Sequence, residues 1–107
     1  IPPVIFQKTL DGLSEESFQS FTALCFGDSQ PHIPIDVSAR ADELVAVQKR
    51  GPADCPTFDR IWISQNDRIF PPANLARVFA SQQDAIRTID APHVPFSEWD
   101  SWQEVLA

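Results

Sequence analysis

Residues 60–64, RIWIS, and 85–89, AIRTI, are the two strand-like runs in 107 residues, and they limit what the chain can fold into. Ile61, Trp62 and Ile63 are contiguous rather than alternating with polar residues, the pattern of a strand covered on both faces in a parallel sheet. Between the runs, Leu75, Val78 and Phe79 recur at helical spacing in PANLARVFASQ. After the second run, Ser97 is expected to open a last helix with Trp99, Trp102, Val105 and Leu106 on one face. The order strand, helix, strand, helix implies parallel strands joined by a right-handed crossover. Two such strands do not make an independently stable sheet. The expected fold class is therefore α/β with the sheet incomplete in this chain, and the exposed sheet edge is expected to pair with another copy, bind the missing half or make the piece aggregation-prone.

Everything before residue 58 reads as helix and loop. Pro2 and Pro3 suit the first turn of a short helix through Leu10, since the missing proline N–H is unpaired there anyway, and Asp11 and Gly12 break it. Ser14 is placed as an N-cap, followed by Glu15 and Glu16 on the positive end of the helix dipole. Phe18, Phe21, Leu24 and Cys25 then follow at helical spacing up to Gly27. The segment DSQPHIPID, which contains His32, has the turn formers of a loop. SARADELVAVQKR carries Ala41, Leu44, Val45 and Gln48 on one face and stops at Gly51-Pro52. The chain divides on this reading into a helical segment, 1–57, and a strand-helix-strand-helix segment, 58–107.

Charge and composition narrow the function. Eight Lys and Arg against fifteen Asp and Glu give a net charge of -7, which repels phosphate backbones and argues against nucleic-acid binding. No apolar run approaches the ~20 residues a membrane span needs. Cys25 and Cys55 lack both CxxC spacing and the density of a disulfide scaffold, so reduced thiols in a cytoplasmic setting are expected. With two histidines and no acid at ligand spacing, neither a metal nor another cofactor is expected. The opening IPPVIF has neither an initiator Met nor the pattern of a signal peptide, so the chain is expected to be a piece of a longer protein.

The chemistry concentrates just past the two strand-like runs, where open parallel sheets place their ligand sites. Asp67 lies in SQNDRIFPP after the first, and His93 in DAPHVPF after the second. A carboxylate bonded to one imidazole nitrogen fixes the tautomer and stabilises the imidazolium formed when the other nitrogen accepts a nucleophile's proton. The order acid, then base, with the nucleophile earlier, is that of α/β-hydrolases.

Asp67-x-x-x-Pro71 after a buried strand resembles the acid turn of that superfamily, and His93 followed by VPFSEWDSWQEVL resembles its His turn running into the C-terminal helix. More narrowly, QNDRIFPPAN, DAPHVPFSEWDSW and IPPVIFQKTL resemble the C-terminal half of the BioG-type esterases, which remove the methyl group from pimeloyl-acyl-carrier-protein methyl ester in biotin synthesis. The resemblance covers nearly the whole chain and is strongest from Phe58 onward. It implies a serine carboxylesterase with Asp67 as triad acid, His93 as base, and an acyl-carrier protein as partner. The nucleophile, its elbow and the oxyanion hole would then lie upstream of Ile1, in the missing N-terminal half. None of the nine serines here sits in G-x-S-x-G, so the chain alone is expected to be inactive.

The resemblance also makes 1–57 a helical insertion over the active site, with Phe18 and Phe21 lining an acyl-binding pocket; as a plain core, the same residues carry no ligand. Arg40, Lys49 and Arg50 are the basic residues available to an acidic carrier. Two other readings stay open: another acyl-ester or thioester hydrolase, because a triad does not specify its leaving group, and a non-catalytic helical interaction module in which Asp67 and His93 are structural.

Overall fold

The computed structural model describes residues 1–107. Three helices come first: α1 (Pro3–Asp11), α2 (Glu15–Phe26) and α3 (Val37–Arg50). Strand β1 (Ile61–Ser64), helix α4 (Pro72–Val78), strand β2 (Ile86–Ile89) and helix α5 (Trp102–Leu106) follow.

Local chemistry explains the helix boundaries. Pro3 sits in the first turn of α1, and Ser14 caps α2 by accepting from the Ser17 N–H while the Ser17 hydroxyl accepts from the Ser14 N–H. Gly27 ends α2 at φ 74°, the left-handed conformation in which a side chain is costly. Asp36 caps α3 through a bond from the Ala39 N–H. Arg50 closes α3, with Gly51 at its C-terminal end.

Two boundaries differ from the sequence expectation. The helix after β1 does not run on through FASQ: Phe79 leaves helical geometry at φ -100° and ψ 19°, and a short 3₁₀ segment, Ala80–Ala85, carries the chain into β2. Gln82 explains the change of path. Its side-chain amide accepts from the Phe58 N–H and donates to the Pro56 carbonyl, which ties this turn to the segment entering β1. The last helix is likewise not opened by Ser97. Phe96–Glu98 is a single 3₁₀ turn, Trp99 is extended, and Ser101 caps α5 in a reciprocal box with Glu104. Trp99 and Trp102 therefore do not share one helix face. Trp99 packs edge-on against Trp62 with ring centroids 5.2 Å apart, while Trp102 is 73% exposed.

The strands β1 and β2 form a two-stranded parallel sheet, with Ile61 opposite Ile86 and Ser64 opposite Ile89. Helix α4 packs against β1, and α1 against α3. The most buried residues, Ile61, Ile63, Ser64, Ala91 and Cys25, gather around β1 and the exit of β2. This core is small. The accessible surface of 7935 Å² is about a third above the ~6,000 Å² expected of a folded monomer of 12.0 kDa. The radius of gyration, 15.6 Å, likewise exceeds the ~13 Å expected for a compact domain of this length. No helix is long and apolar enough to cross a membrane.

Candidate functional site

Both strands end at the same level, and their pairing continues past the ends: the Gln65 N–H bonds the Ile89 carbonyl and the Asn66 N–H bonds the Ala91 carbonyl. These bonds place the turn after β1 directly beside the loop after β2. Asp67 falls in the first and His93 in the second.

The Asp67 carboxylate is held from three directions. Oδ1 accepts from the backbone N–H groups of Ile69 and Phe70, both at 2.8 Å, which folds DRIF into a tight turn around the side chain. Oδ2 lies 2.8 Å from His93 Nδ1. The Asp67 side chain is 4% exposed and that of His93 29%, so the acid is enclosed while the imidazole reaches solvent. Burial pushes the Asp67 carboxyl upward. The His93 bond, the Phe70 and Ile69 N–H groups and the charge of His93 more than offset it, and the group lies below its ordinary value. An ionised carboxylate only accepts, so in the neutral imidazole Nδ1 carries the proton and Nε2 is the free base.

Three neighbours of this pair carry no clear signal in the sequence. The Phe70 ring lies against the imidazole with centroids 5.4 Å apart and ring planes tilted by 51°. Asn66 donates from its side-chain amide to Asp90 Oδ1 at 2.5 Å, a second tie between the two loops. The last turn of α2 also reaches the site: the Val94 N–H bonds the Cys25 carbonyl at 2.9 Å. Burial pushes the Cys25 thiol up, and the charge of Asp67 acts in the same direction.

Phe18 and Phe21 are placed elsewhere. With Leu13, Leu24, Leu44 and Arg40 they line a groove of about 540 Å³ among α1, α2 and α3, whose walls include neither Asp67 nor His93. His32 lies in its loop with Nδ1 3.2 Å from Gln19 Oε1 and Nε2 3.6 Å from Glu15. Arg40 is paired with Glu43 at 2.7 Å. Cys25 and Cys55 are free thiols.

The fold along the whole chain has a counterpart of known structure. The crystal structure of BioG from Haemophilus influenzae superposes on all of this chain with a TM-score of 0.82 at 27% identity, over 54% of that protein. The chain is BioG-like. Its two parallel strands and flanking helices match a C-terminal portion of an α/β fold.

Two curated proteins are similar in sequence. An uncharacterized protein of Haemophilus influenzae is 30% identical over 95% of the BioG-like chain and 52% of its own length. A malonyl-[acyl-carrier protein] O-methyltransferase of Bacteroides fragilis is 28% identical over 87% of the chain, which matches 21% of that larger protein. The chain thus spans about half the length of one relative and a fifth of the other. No protein-family model matches it.

Proposed function

We propose that this chain is the acid- and base-bearing C-terminal part of an α/β-hydrolase, a serine carboxylesterase that hydrolyses pimeloyl-acyl-carrier-protein methyl ester in biotin synthesis. The observation that carries the reading is the 2.8 Å bond between Asp67 Oδ2 and His93 Nδ1 at the exits of two adjacent parallel strands. The likeness to BioG along the entire chain supports the choice among hydrolases. The methyltransferase likeness is consistent with a neighbouring step on the same kind of carrier-bound acid, one protein adding the methyl ester that the other removes.

In this proposal the nucleophilic Ser and the oxyanion hole are supplied upstream of Ile1. His93 Nε2 takes the proton of the Ser hydroxyl as its oxygen bonds to the ester carbonyl carbon, giving a tetrahedral oxyanion. As the intermediate collapses, the bond to the methoxy oxygen breaks and His93 returns the proton, so methanol leaves. Water then adds to the acyl-enzyme by the same proton path and releases the free carboxylate. Asp67 holds the ring in register and stabilises the imidazolium in both halves of the cycle.

The methyl group is too small to supply much recognition, so selectivity falls to the acyl chain and its carrier. Residues 1–57 act as the cap, with the groove beside Phe18 and Phe21 taking part of the acyl chain. Lys49 and Arg50, at the end of α3, meet the acidic carrier more freely than Arg40, which already has Glu43 as a partner. The setting is cytoplasmic.

The deciding experiment measures methanol released from pimeloyl-acyl-carrier-protein methyl ester by the full-length protein. Turnover is expected, and His93→Ala is expected to reduce it to background with the melting temperature preserved. A full-length protein without ester hydrolysis, or a His93→Ala protein with near-normal turnover, overturns the reading.

A further inference from the structure

Gly27 ends α2 where that helix meets the loop bearing His93. Its φ of 74° is left-handed, and a Cβ built on it would lie 3.1 Å from Pro92 Cβ and 3.5 Å from Pro92 Cγ, so the Pro92 ring rests on the bare glycine backbone. Two residues earlier, the Cys25 carbonyl accepts the Val94 N–H at 2.9 Å. Pro92 and Val94 flank His93 on both sides. The base is therefore gripped by its chain neighbours from α2, independently of the bond that Asp67 makes to its ring.

We infer that Gly27 is a positioning residue for His93, acting through the Gly27–Pro92 contact beside the Cys25–Val94 bond. The inference deepens the esterase reading and rests on it for its kinetic consequences; the mechanical link itself is a property of these residues. A proline ring closed between two chain bonds has little freedom to turn aside. A side chain at residue 27 must push residues 92–94 outward by a few tenths of an ångström, and proton transfer to a bound nucleophile is sensitive to displacements of that size.

Gly51 provides the control. It also has a positive φ, 69°, but a Cβ there meets nothing within 4 Å. Alanine at either position strains the backbone, and only alanine at 27 also strikes the His93 loop. In the full-length protein, Gly27→Ala is expected to lower kcat about tenfold with KM changed less than about twofold, whereas Gly51→Ala lowers the melting temperature and leaves kcat near wild type. Gly27→Asn serves if Gly27→Ala does not fold, because asparagine tolerates the left-handed conformation while presenting the same Cβ to Pro92. Its stability is expected to recover and its kcat to stay depressed.

A second readout does not need turnover. The proton NMR signal of His93 Nδ1–H, shifted downfield by its bond to Asp67, is expected to move or broaden in the residue-27 variants and to stay in place in Gly51→Ala. If wild type hydrolyses the ester and the residue-27 variants lose no more kcat than Gly51→Ala, the positioning role is wrong and the esterase reading stands. If wild type hydrolyses nothing, the esterase reading fails, and an unmoved His93 signal in Gly27→Asn then overturns the mechanical link as well.

Discussion

Trp62, at the second position of β1, donates its indole N–H to the carbonyl of Val105 in α5 at 2.7 Å. The same indole packs edge-on against Trp99, so one strand side chain anchors both the loop after His93 and the helix beyond it. Trp62→Phe keeps an aromatic ring and removes the donor, leaving the Val105 carbonyl without this partner. The expected cost is about 1 kcal/mol, read as a lower denaturation midpoint of the full-length protein with an unchanged denaturant slope. No shift in the midpoint would mean that water replaces the indole without loss.

Asp67→Asn tests the acid separately from the base. An amide in that position can present its NH₂ to Nδ1 and so favour the wrong tautomer, with the proton on Nε2 where the base is needed. Esterase kcat in the full-length protein is expected to fall by roughly 10⁴-fold. A loss of less than about tenfold would make Asp67 a turn former around Ile69 and Phe70 and no more.

The same carboxylate gives the fold a signed response to acid. Its folded pKa is depressed below the unfolded value of about 3.9, so the unfolded chain takes up the proton first as pH falls. The stabilisation is fully present above that unfolded value and is lost as pH falls through the lower, folded one. Denaturation of wild type and Asp67→Asn at a series of pH values is expected to show a stability difference in favour of wild type that is constant near neutrality and shrinks below about pH 4. A difference that grows toward acid would contradict the sign.

The 107 residues alone are expected to hydrolyse no short p-nitrophenyl ester above background and to self-associate. β1 and β2 each pair on one side only, and the surface is about a third larger than a compact chain of this mass exposes. A kinetic assay with light scattering on the same sample checks both. A monodisperse monomer, or turnover blocked by a serine-directed reagent, would contradict the division of the catalytic groups between two halves.

The juxtaposition of Asp67 and His93 was legible because β1 is buried by its neighbours. A contiguous IWI run marks a buried parallel strand, and residues just past such a run lie at the ligand end of the sheet, which brought Asp67 and His93 forward together. The helix ends were legible where a cap is local: Ser14 and the Gly51 stop need only their own chain neighbours, as does Asp36, although its segment reads in the sequence as loop. Ser101-x-x-Glu104 offered the same kind of signal for α5, and the helical spacing of the tryptophans concealed it. Phe79 and Gln82 were not legible, because the path there is set by Phe58 and Pro56, more than twenty residues away. Nor was the grip of α2 on the His93 loop: it consists of a backbone carbonyl, a backbone N–H and a glycine without a side chain, none of which leaves a mark on hydrophobic periodicity. Whether a regular apolar face finds a cover is also a tertiary matter, as the exposure of Trp102 illustrates.

The backbone bonds that carry the β1–β2 pairing past the strand ends, from Gln65 to Ile89 and from Asn66 to Ala91, lie wholly within these 107 residues. The loops that carry Asp67 and His93 are thus registered to one another by bonds from this stretch of chain. The pairing of two short strands in this way keeps two residues 26 positions apart side by side.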